Sequence, residues 1–277
     1  MSRRADGYHE LETLFERISL GDTIFLKTIP SGIRLQTNAR NIPSDSSNLV
    51  WQAADLLQKR YGVKKGVAIR LVKRIPVAAG LGGGSSNAAT VLMGLNRLWK
   101  MKLSRKELLS LAAEIGSDVP FFVLDTSFAI GKGRGEILKK INPPKAPIWH
   151  CLVKPPFGIS TKEAYQGLSK HLKASPKQKL TPLRANVNML LHSIQKGDQE
   201  RVKRLLTNSL EVYLDKRLTS ILKIKSELIR QGAFVSLMSG SGSTVFGLFR
   251  SKLEAARAAK ILKKINKTWK VFIASTW

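Results

Sequence analysis

The sequence predicts an α+β protein in two domains, and three observations predict it. Strand-like and helix-like stretches alternate along 277 residues, of which 43% are apolar, enough for two compact cores. A proline-rich polar break, INPPKAP at 141–147, separates two such series. In the first series a β-branched stretch runs through a glycine-rich turn, PVAAGLGGGSSN from Pro76 to Asn87, straight into a helical pattern. The domains are accordingly expected at 1–146 and 147–277.

The glycine-rich turn carries the clearest chemistry. VAIRLVKRI before it is apolar and β-branched enough for a strand, and NAATVLMGLNRLWK after it repeats apolar residues at helical spacing. Gly80, Gly82, Gly83 and Gly84 leave bare backbone where side chains would block close approach. Ser85 and Ser86 are expected to open the helix, whose unpaired N–H groups and positive dipole end favour phosphate. The physical reading is a polyphosphate cradle, and its bland alternative is a flexible hinge. A Walker loop is excluded because no Lys follows the glycines. The dinucleotide fingerprint fails as well, since the helix continues basic and apolar through Arg97 and Lys100 without the required acid.

In chain order, RRADGYHELETLF opens the sequence with a turn, an aromatic ring and a titratable ring at Tyr8 and His9, and Tyr8 to Phe15 alternates loosely. Asp22 to Lys27 reads as a short strand after the turn at Leu20-Gly21-Asp22. Ser46-Ser47-Asn48 caps a helix that Gly62 ends. Ser104 and Glu107 form a capping box for a helix running to Gly116. Asp118 then precedes VPFF, where it suits a helix cap with Pro120 near the start. SFAIG reads as a strand and KGRGE as a turn.

Beyond the break, IWHCLVKP is a strand. Its His150 and Cys151 lie in an apolar pattern and read as packing residues, not as a metal pair. Ser160 or Thr161 caps a short helix, KEAYQGL. Lys173 to Lys179 reads as a basic linker. Helical patterns follow around Asn186 to Ile194, Asp198 to Leu206 and Leu214 to Arg230. FVSLM, the loop Ser239-Gly240-Ser241-Gly242-Ser243, TVFGLF, the helix SKLEAARAAKILKKI and the strand VFIAS complete the chain.

The formal charge of +28 comes from 47 Lys and Arg against 19 Asp and Glu. Alone it suggests nucleic acid or an acidic membrane. The charges are spread along the chain without an aromatic-interleaved basic block, so a solvated basic surface is favoured over nucleic-acid binding. Cys151 is the only cysteine, which excludes an intrachain disulfide and fits a reducing cytoplasm. No secretory apolar segment follows Met1, and no apolar run approaches the roughly twenty residues of a membrane span.

The pattern P-x-x-x-G-L-G-G-G-S-S resembles the phosphate-binding motif of the GHMP kinase superfamily. With RRADGYHELETLF, SSNLV, GSDVPFF and SGSGSTVFG, the chain is similar from Arg4 to about Gly247 to the diphosphocytidyl-methylerythritol kinases within it. The resemblance implies a GHMP kinase fold with a ferredoxin-like C-terminal half. It also implies ATP-dependent phosphorylation of the substrate's 2-hydroxyl in non-mevalonate isoprenoid synthesis, with Mg²⁺ whose protein ligands are not visible.

Residue by residue, the resemblance makes Asp118 the catalytic base. Pro76, Val77, Ala78, Ala79, Gly80, Leu81, Gly82, Gly83, Gly84, Ser85 and Ser86 hold the phosphates, and Asn48, Leu49 and Lys73 the adenine. Tyr8, His9, Thr161 and Tyr165 hold the cytidine end, and Gly240, Ser241 and Gly242 form the superfamily's third motif. Plainer roles stay open: Asn48 and Thr161 as caps, Lys73 as an exposed strand charge, Tyr165 as core and the third motif as a hairpin-like turn. The family's usual P-A-K-x-N strand has no counterpart after Met1, so a start upstream and an unpaired sheet edge are expected. The remaining alternatives are a homoserine- or mevalonate-type kinase, or an inactive homologue with a basic nucleic-acid-binding surface.

Overall fold

The structure, a computed structural model, describes residues 11–174, 187–211 and 217–277. Its first half contains β1 (Leu11–Glu16), β2 (Thr23–Ile29), β3 (Ile33–Thr37), α1 (Leu49–Tyr61), β4 (Gly66–Val72), α2 (Gly83–Leu98), α3 (Arg105–Ile115), α4 (Val119–Leu124), β5 (Phe128–Gly133) and β6 (Ile137–Ile141). The second half contains β7 (Trp149–Lys154), α5 (Thr161–Ala174), α6 (Val187–Lys196), α7 (Gln199–Leu205), α8 (Arg217–Arg230), β8 (Val235–Met238), β9 (Val245–Phe249), α9 (Lys252–Ile265) and β10 (Lys270–Ser275).

Local chemistry explains most of these boundaries. In β4, Val67, Ile69 and Leu71 are buried and alternate with more accessible residues, so one face meets helices. In α1, Val50, Ala53, Ala54 and Leu57 recur at three- and four-residue steps and form its buried stripe. Gly62 ends that helix in the left-handed conformation at φ 62°. The capping box of Ser104 and Glu107 opens α3 as the sequence implies.

Three sheets organise the chain. β2 and β3 flank β4, antiparallel and parallel to it respectively, and this sheet shares a core with α1, α2 and α3. β1, β5 and β6 form an antiparallel sheet, against which Val187 and Leu191 of α6 pack. The second half holds a four-stranded antiparallel sheet in the order β10-β7-β9-β8, with residues of α5, α8 and α9 in its core. Numbered within that half the order is 4-1-3-2, the arrangement of a ferredoxin-like β-α-β-β-α-β unit. His150 and Cys151 are buried in it as packing residues.

The sequence reading does not anticipate β3 and β6. Both are edge strands: β6 exposes Ile137, Lys139 and Lys140 and carries no apolar alternation, whereas β3 alternates, with Leu35 buried, over only five residues, IRLQT. Lys173 and Ala174, expected in a linker, belong to α5; the rest of that linker lies outside the described residues, as do Asn186 and Leu214. β1 also lies at a sheet edge among the described residues.

β1 is tied to α4 through Phe15, whose ring stacks on Phe121 with centroids 5.0 Å apart. Gly131, opposite β1 in β5, makes room for that ring: a Cβ there would stand 2.5 Å from Phe15 Cε2. Gly131→Ala is expected to cost about 1–3 kcal/mol through overpacking. Gly21→Ala, with open space around it, should stay within ~0.5 kcal/mol. Urea unfolding of the two variants measures the difference.

Candidate active site

The first glycine loop leaves the end of β4 and enters α2 at Gly83, two residues before the expected start at Ser85. Gly82 occupies the cap position in the left-handed conformation, φ 61°, and no side chain caps the helix. The first helical bond runs from Ser86 N–H to the Gly82 carbonyl at 2.8 Å. The N–H groups of Gly83, Gly84 and Ser85 therefore precede the helical ladder, the geometry that receives an anion. Ser86 donates its hydroxyl to the Gly83 carbonyl at 3.0 Å, and the Leu49 side chain lies against Gly84. Pro76 and Leu81 are half-buried, whereas Val77 is exposed.

The second glycine loop locks onto the first. Thr244 N–H donates to the Ala79 carbonyl at 3.1 Å, and Ser239 Oγ donates to the Gly80 carbonyl at 2.8 Å. Gly80, at φ 70°, leaves no room for a side chain: a Cβ would stand 2.1 Å from Ser239 O. Gly240 approaches from the other side, its Cβ position 3.2 Å from Gly80 O. Gly242 faces Met238 and Ile159. Asn208 braces the loop by donating to the Met238 and Gly240 carbonyls at 2.9 and 2.8 Å. The plain hairpin alternative for this motif is therefore too weak a description, because the loop's backbone is bonded to the phosphate-type loop.

The start of α5 closes a third side. Gly158 meets Ala78, whose Cβ would be 2.7 Å from a Cβ at Gly158. Ser160 caps α5 by accepting the Glu163 N–H at 3.1 Å, which leaves Thr161 free of that role. The Thr161 hydroxyl lies 3.3 Å from that of Ser241. One turn on, Tyr165 is partly buried against the C-terminal core. Burial first, and then the charge of Asp118, push its hydroxyl up to about 12.

Asp118 stands at the cap position of α4, with Pro120 in the first turn, yet its side chain makes no capping bond. Phe121 and Phe122 hold α4 in place, Phe121 against Phe15 and Phe122 against Gly82 of the first loop. The turn between β5 and β6 brings Gly135 to the carboxylate, its Cβ position 3.7 Å from Asp118 Oδ1. The carboxylate is open to solvent on one side while protein crowds it on the others, and this desolvation raises its pKa. The cap alternative for Asp118 is overturned.

Lys73 departs from its plainer expected state, whereas Asn48 takes the cap role expected of it. Lys73 is not an exposed strand charge: its side chain is 7% exposed and forms an ion pair with Asp22, whose own side chain is fully buried. Asn48 caps α1 by accepting the Val50 N–H at 2.9 Å, and its amide donates to the Pro43 carbonyl at 2.8 Å. Its side-chain amide is thereby committed within the protein. Asp22, Asn87, Asn208 and Phe122 are site residues the sequence reading passes over. An amide in the apolar pattern of α2 was the one available signal, at Asn87. Tyr8 and His9 lie outside the described residues.

Two facing glycine loops on this fold, beside a carboxylate that is free among the described residues, define a GHMP-type kinase. Residues 48–126 match the GHMP kinases N terminal domain and residues 190–268 the GHMP kinases C terminal family. A homoserine kinase from Cytophaga hutchinsonii, 20% identical, shares the fold with a TM-score of 0.72 over 95% of this chain and 88% of its own. Similarity to one branch is much closer. The chain is 43% identical over 248 residues to the 4-diphosphocytidyl-2-C-methyl-D-erythritol kinase of Geobacillus kaustophilus (strain HTA426), covering 89% of this chain and 82% of that protein. Against the enzyme of the same name from Pelotomaculum thermopropionicum, identity is 42% over 258 residues, covering 93% and 86%. A crystal structure of 4-(cytidine 5'-diphospho)-2C-methyl-D-erythritol kinase, 33% identical, matches with a TM-score of 0.80 over 99% of this chain and 92% of its own. The chain belongs to the 4-diphosphocytidyl-2-C-methyl-D-erythritol kinase family.

Because the folded state raises the Asp118 pKa, folding favours the protonated acid. Stability contributed by Asp118 therefore falls as pH rises from below the ordinary value of 3.8 through the raised one. Asp118→Asn removes that cost. Its melting temperature should exceed the parent's at neutral pH, and the gain should vanish on acidification below the ordinary carboxyl range. Thermal melts across pH measure it.

Proposed function

We propose that this chain transfers the γ-phosphoryl group of ATP to the 2-hydroxyl of 4-diphosphocytidyl-2-C-methyl-D-erythritol, a step of non-mevalonate isoprenoid precursor synthesis. One observation carries the mechanism: the uncapped Asp118 carboxylate, unpaired among the described residues, stands across Phe122 from the uncapped N-terminus of α2. Family membership supports the reaction class and the acceptor. The domains divide at 146/147 in this proposal, with the glycine loop and Asp118 in the first and the third motif in the second.

The backbone from Pro76 to Ser86 cradles the triphosphate, using the N–H groups at the start of α2. Gly240, Ser241 and Gly242 close its other side, and Leu49 and the stem of Lys73 border the adenine. Asn48 contributes by holding α1 in place. Asp118 takes the proton of the 2-hydroxyl as that oxygen attacks, and the carboxylate's raised pKa brings it closer to a working base. Tyr165 stacks the cytosine together with Tyr8, His9 bonds its edge, and Thr161 contacts the substrate beside Ser241.

Mg²⁺ bound with the nucleotide supplies charge neutralisation across the phosphates. No cluster of three or more His, Cys, Asp or Glu suited to a metal is present among the described residues. No described helix is long and apolar enough to cross a membrane, and we place the enzyme in the cytoplasm.

Asp118→Asn should lower kcat by about 10²–10⁴ while ATP binding, followed by titration calorimetry, stays within twofold of the parent. Retained turnover would remove Asp118 from the base role. Tyr165→Ala and Tyr8→Ala should each raise KM for the diphosphocytidyl substrate by roughly tenfold, the loss expected from one stacking contact, without changing KM for ATP. A homoserine- or mevalonate-type kinase would show no such substrate dependence.

A further inference from the structure

Both ends of the first glycine loop converge on one buried carboxylate. On the entry side, Asp22 Oδ1 accepts the N–H groups of Arg74 at 2.7 Å and Ile75 at 2.9 Å. On the exit side, Asp22 Oδ2 accepts the side-chain amide of Asn87, in the second turn of α2, at 3.0 Å. Lys73 joins them, pairing with Asp22 Oδ2 and donating to Asn87 Oδ1 at 3.0 Å. Arg74 Nε adds a bond to the Gly21 carbonyl at 2.8 Å. The network sits directly beneath the loop's last turn: a Cβ on Gly83 would stand 3.2 Å from Lys73 Nζ and 3.0 Å from Ile75 Cγ2.

Three segments therefore meet at Asp22: the start of β2, the end of β4 and the first turns of α2. Burial pushes the Asp22 carboxyl up, but the Lys73, Arg74 and Ile75 hydrogen bonds and the Lys73 charge outweigh it and hold the carboxyl below its ordinary value. A buried ion pair is a poor source of stability, since apolar side chains of similar volume often do as well. What this one supplies is geometry. A glycine-rich loop has a large conformational entropy to lose on closing around a ligand, and clamping both its ends removes part of that cost beforehand.

We infer that Asp22 is a positioning residue for polyphosphate recognition, setting the spacing between the loop's two ends through Lys73 and Asn87. This assigns Lys73 a role through the loop instead of through a free ammonium at the base. The inference rests on the proposal that the loop holds the ATP phosphates.

The test compares Asp22→Asn, Lys73→Met, the double variant and Asn87→Ala, each by thermal melting, ATP titration calorimetry and steady-state kinetics. Each charge-removing single variant should melt well below the parent, because it leaves one buried charge unpaired. The double variant should regain most of that loss, yet bind ATP about tenfold more weakly, with KM for the diphosphocytidyl substrate unchanged. Asn87→Ala keeps the ion pair and cuts only the link to α2, and should weaken ATP about fivefold with the same selectivity. ATP affinity within twofold of the parent in both the double variant and Asn87→Ala would overturn the inference. Gly84→Asp, whose Cβ would sit at ordinary contact distance from Leu49, puts a negative charge in the loop itself. If it weakens ATP binding while the other variants do not, the positioning role alone falls; if it leaves ATP binding unchanged, the phosphate cradle falls and the inference with it.

Discussion

Gly80 has no space for a side chain, and much of the site follows from that constraint. Its left-handed backbone lets the Gly80 and Ala79 carbonyls reach Ser239 and Thr244, so the two glycine loops touch backbone to backbone. Elements from the two halves of the chain meet there, with Gly158 and Thr161 completing the contact from α5. A side chain at Gly80 would have to separate loops that are drawn together by only a few hydrogen bonds. Glycine is therefore required here for approach as much as for conformation.

The hydrogen bonds left unmade matter as much as those made. Five other helix starts among the described residues are satisfied by side chains: Asn48 for α1, Ser104 for α3, Ser160 for α5, Asp198 for α7 and Ser251 for α9. At α2 and α4 the side-chain cap is missing. In α2 glycine occupies the cap position and exposes donors; in α4 an aspartate occupies it and keeps its carboxylate uncommitted. Donors for an anion and an acceptor for a proton are brought side by side through Phe122 on Gly82. This pairing is what phosphoryl transfer to an alcohol requires of a protein, whose part is chiefly positioning and electrostatics.

The buried network under the loop shows how such a site is held steady. Lys73 and Asp22 are 51 residues apart, and their contact brings together the ends of two strands and the start of a helix. The glycines that allow close approach would otherwise leave the loop loose, and the rigid scaffold beneath compensates.

Local signals in the sequence determined the strand, glycine turn and helix at Pro76–Asn87, the caps at Asn48 and Ser104 and the left-handed end at Gly62, because each depends on residues within about one turn of one another. The apolar strands of the second half were legible for the same reason, and the spaced motifs pointed to the family. The edge strands β3 and β6 were not, since the alternation of β3 spans only five residues and β6 buries too little to show one. Only the tertiary structure decided that Asp118 is free and not a cap, that Ser160 and not Thr161 caps α5, and that Lys73 is buried against Asp22. In each case several local geometries suit the same residues, and the choice among them is made by groups distant in sequence that bring a partner or withhold one.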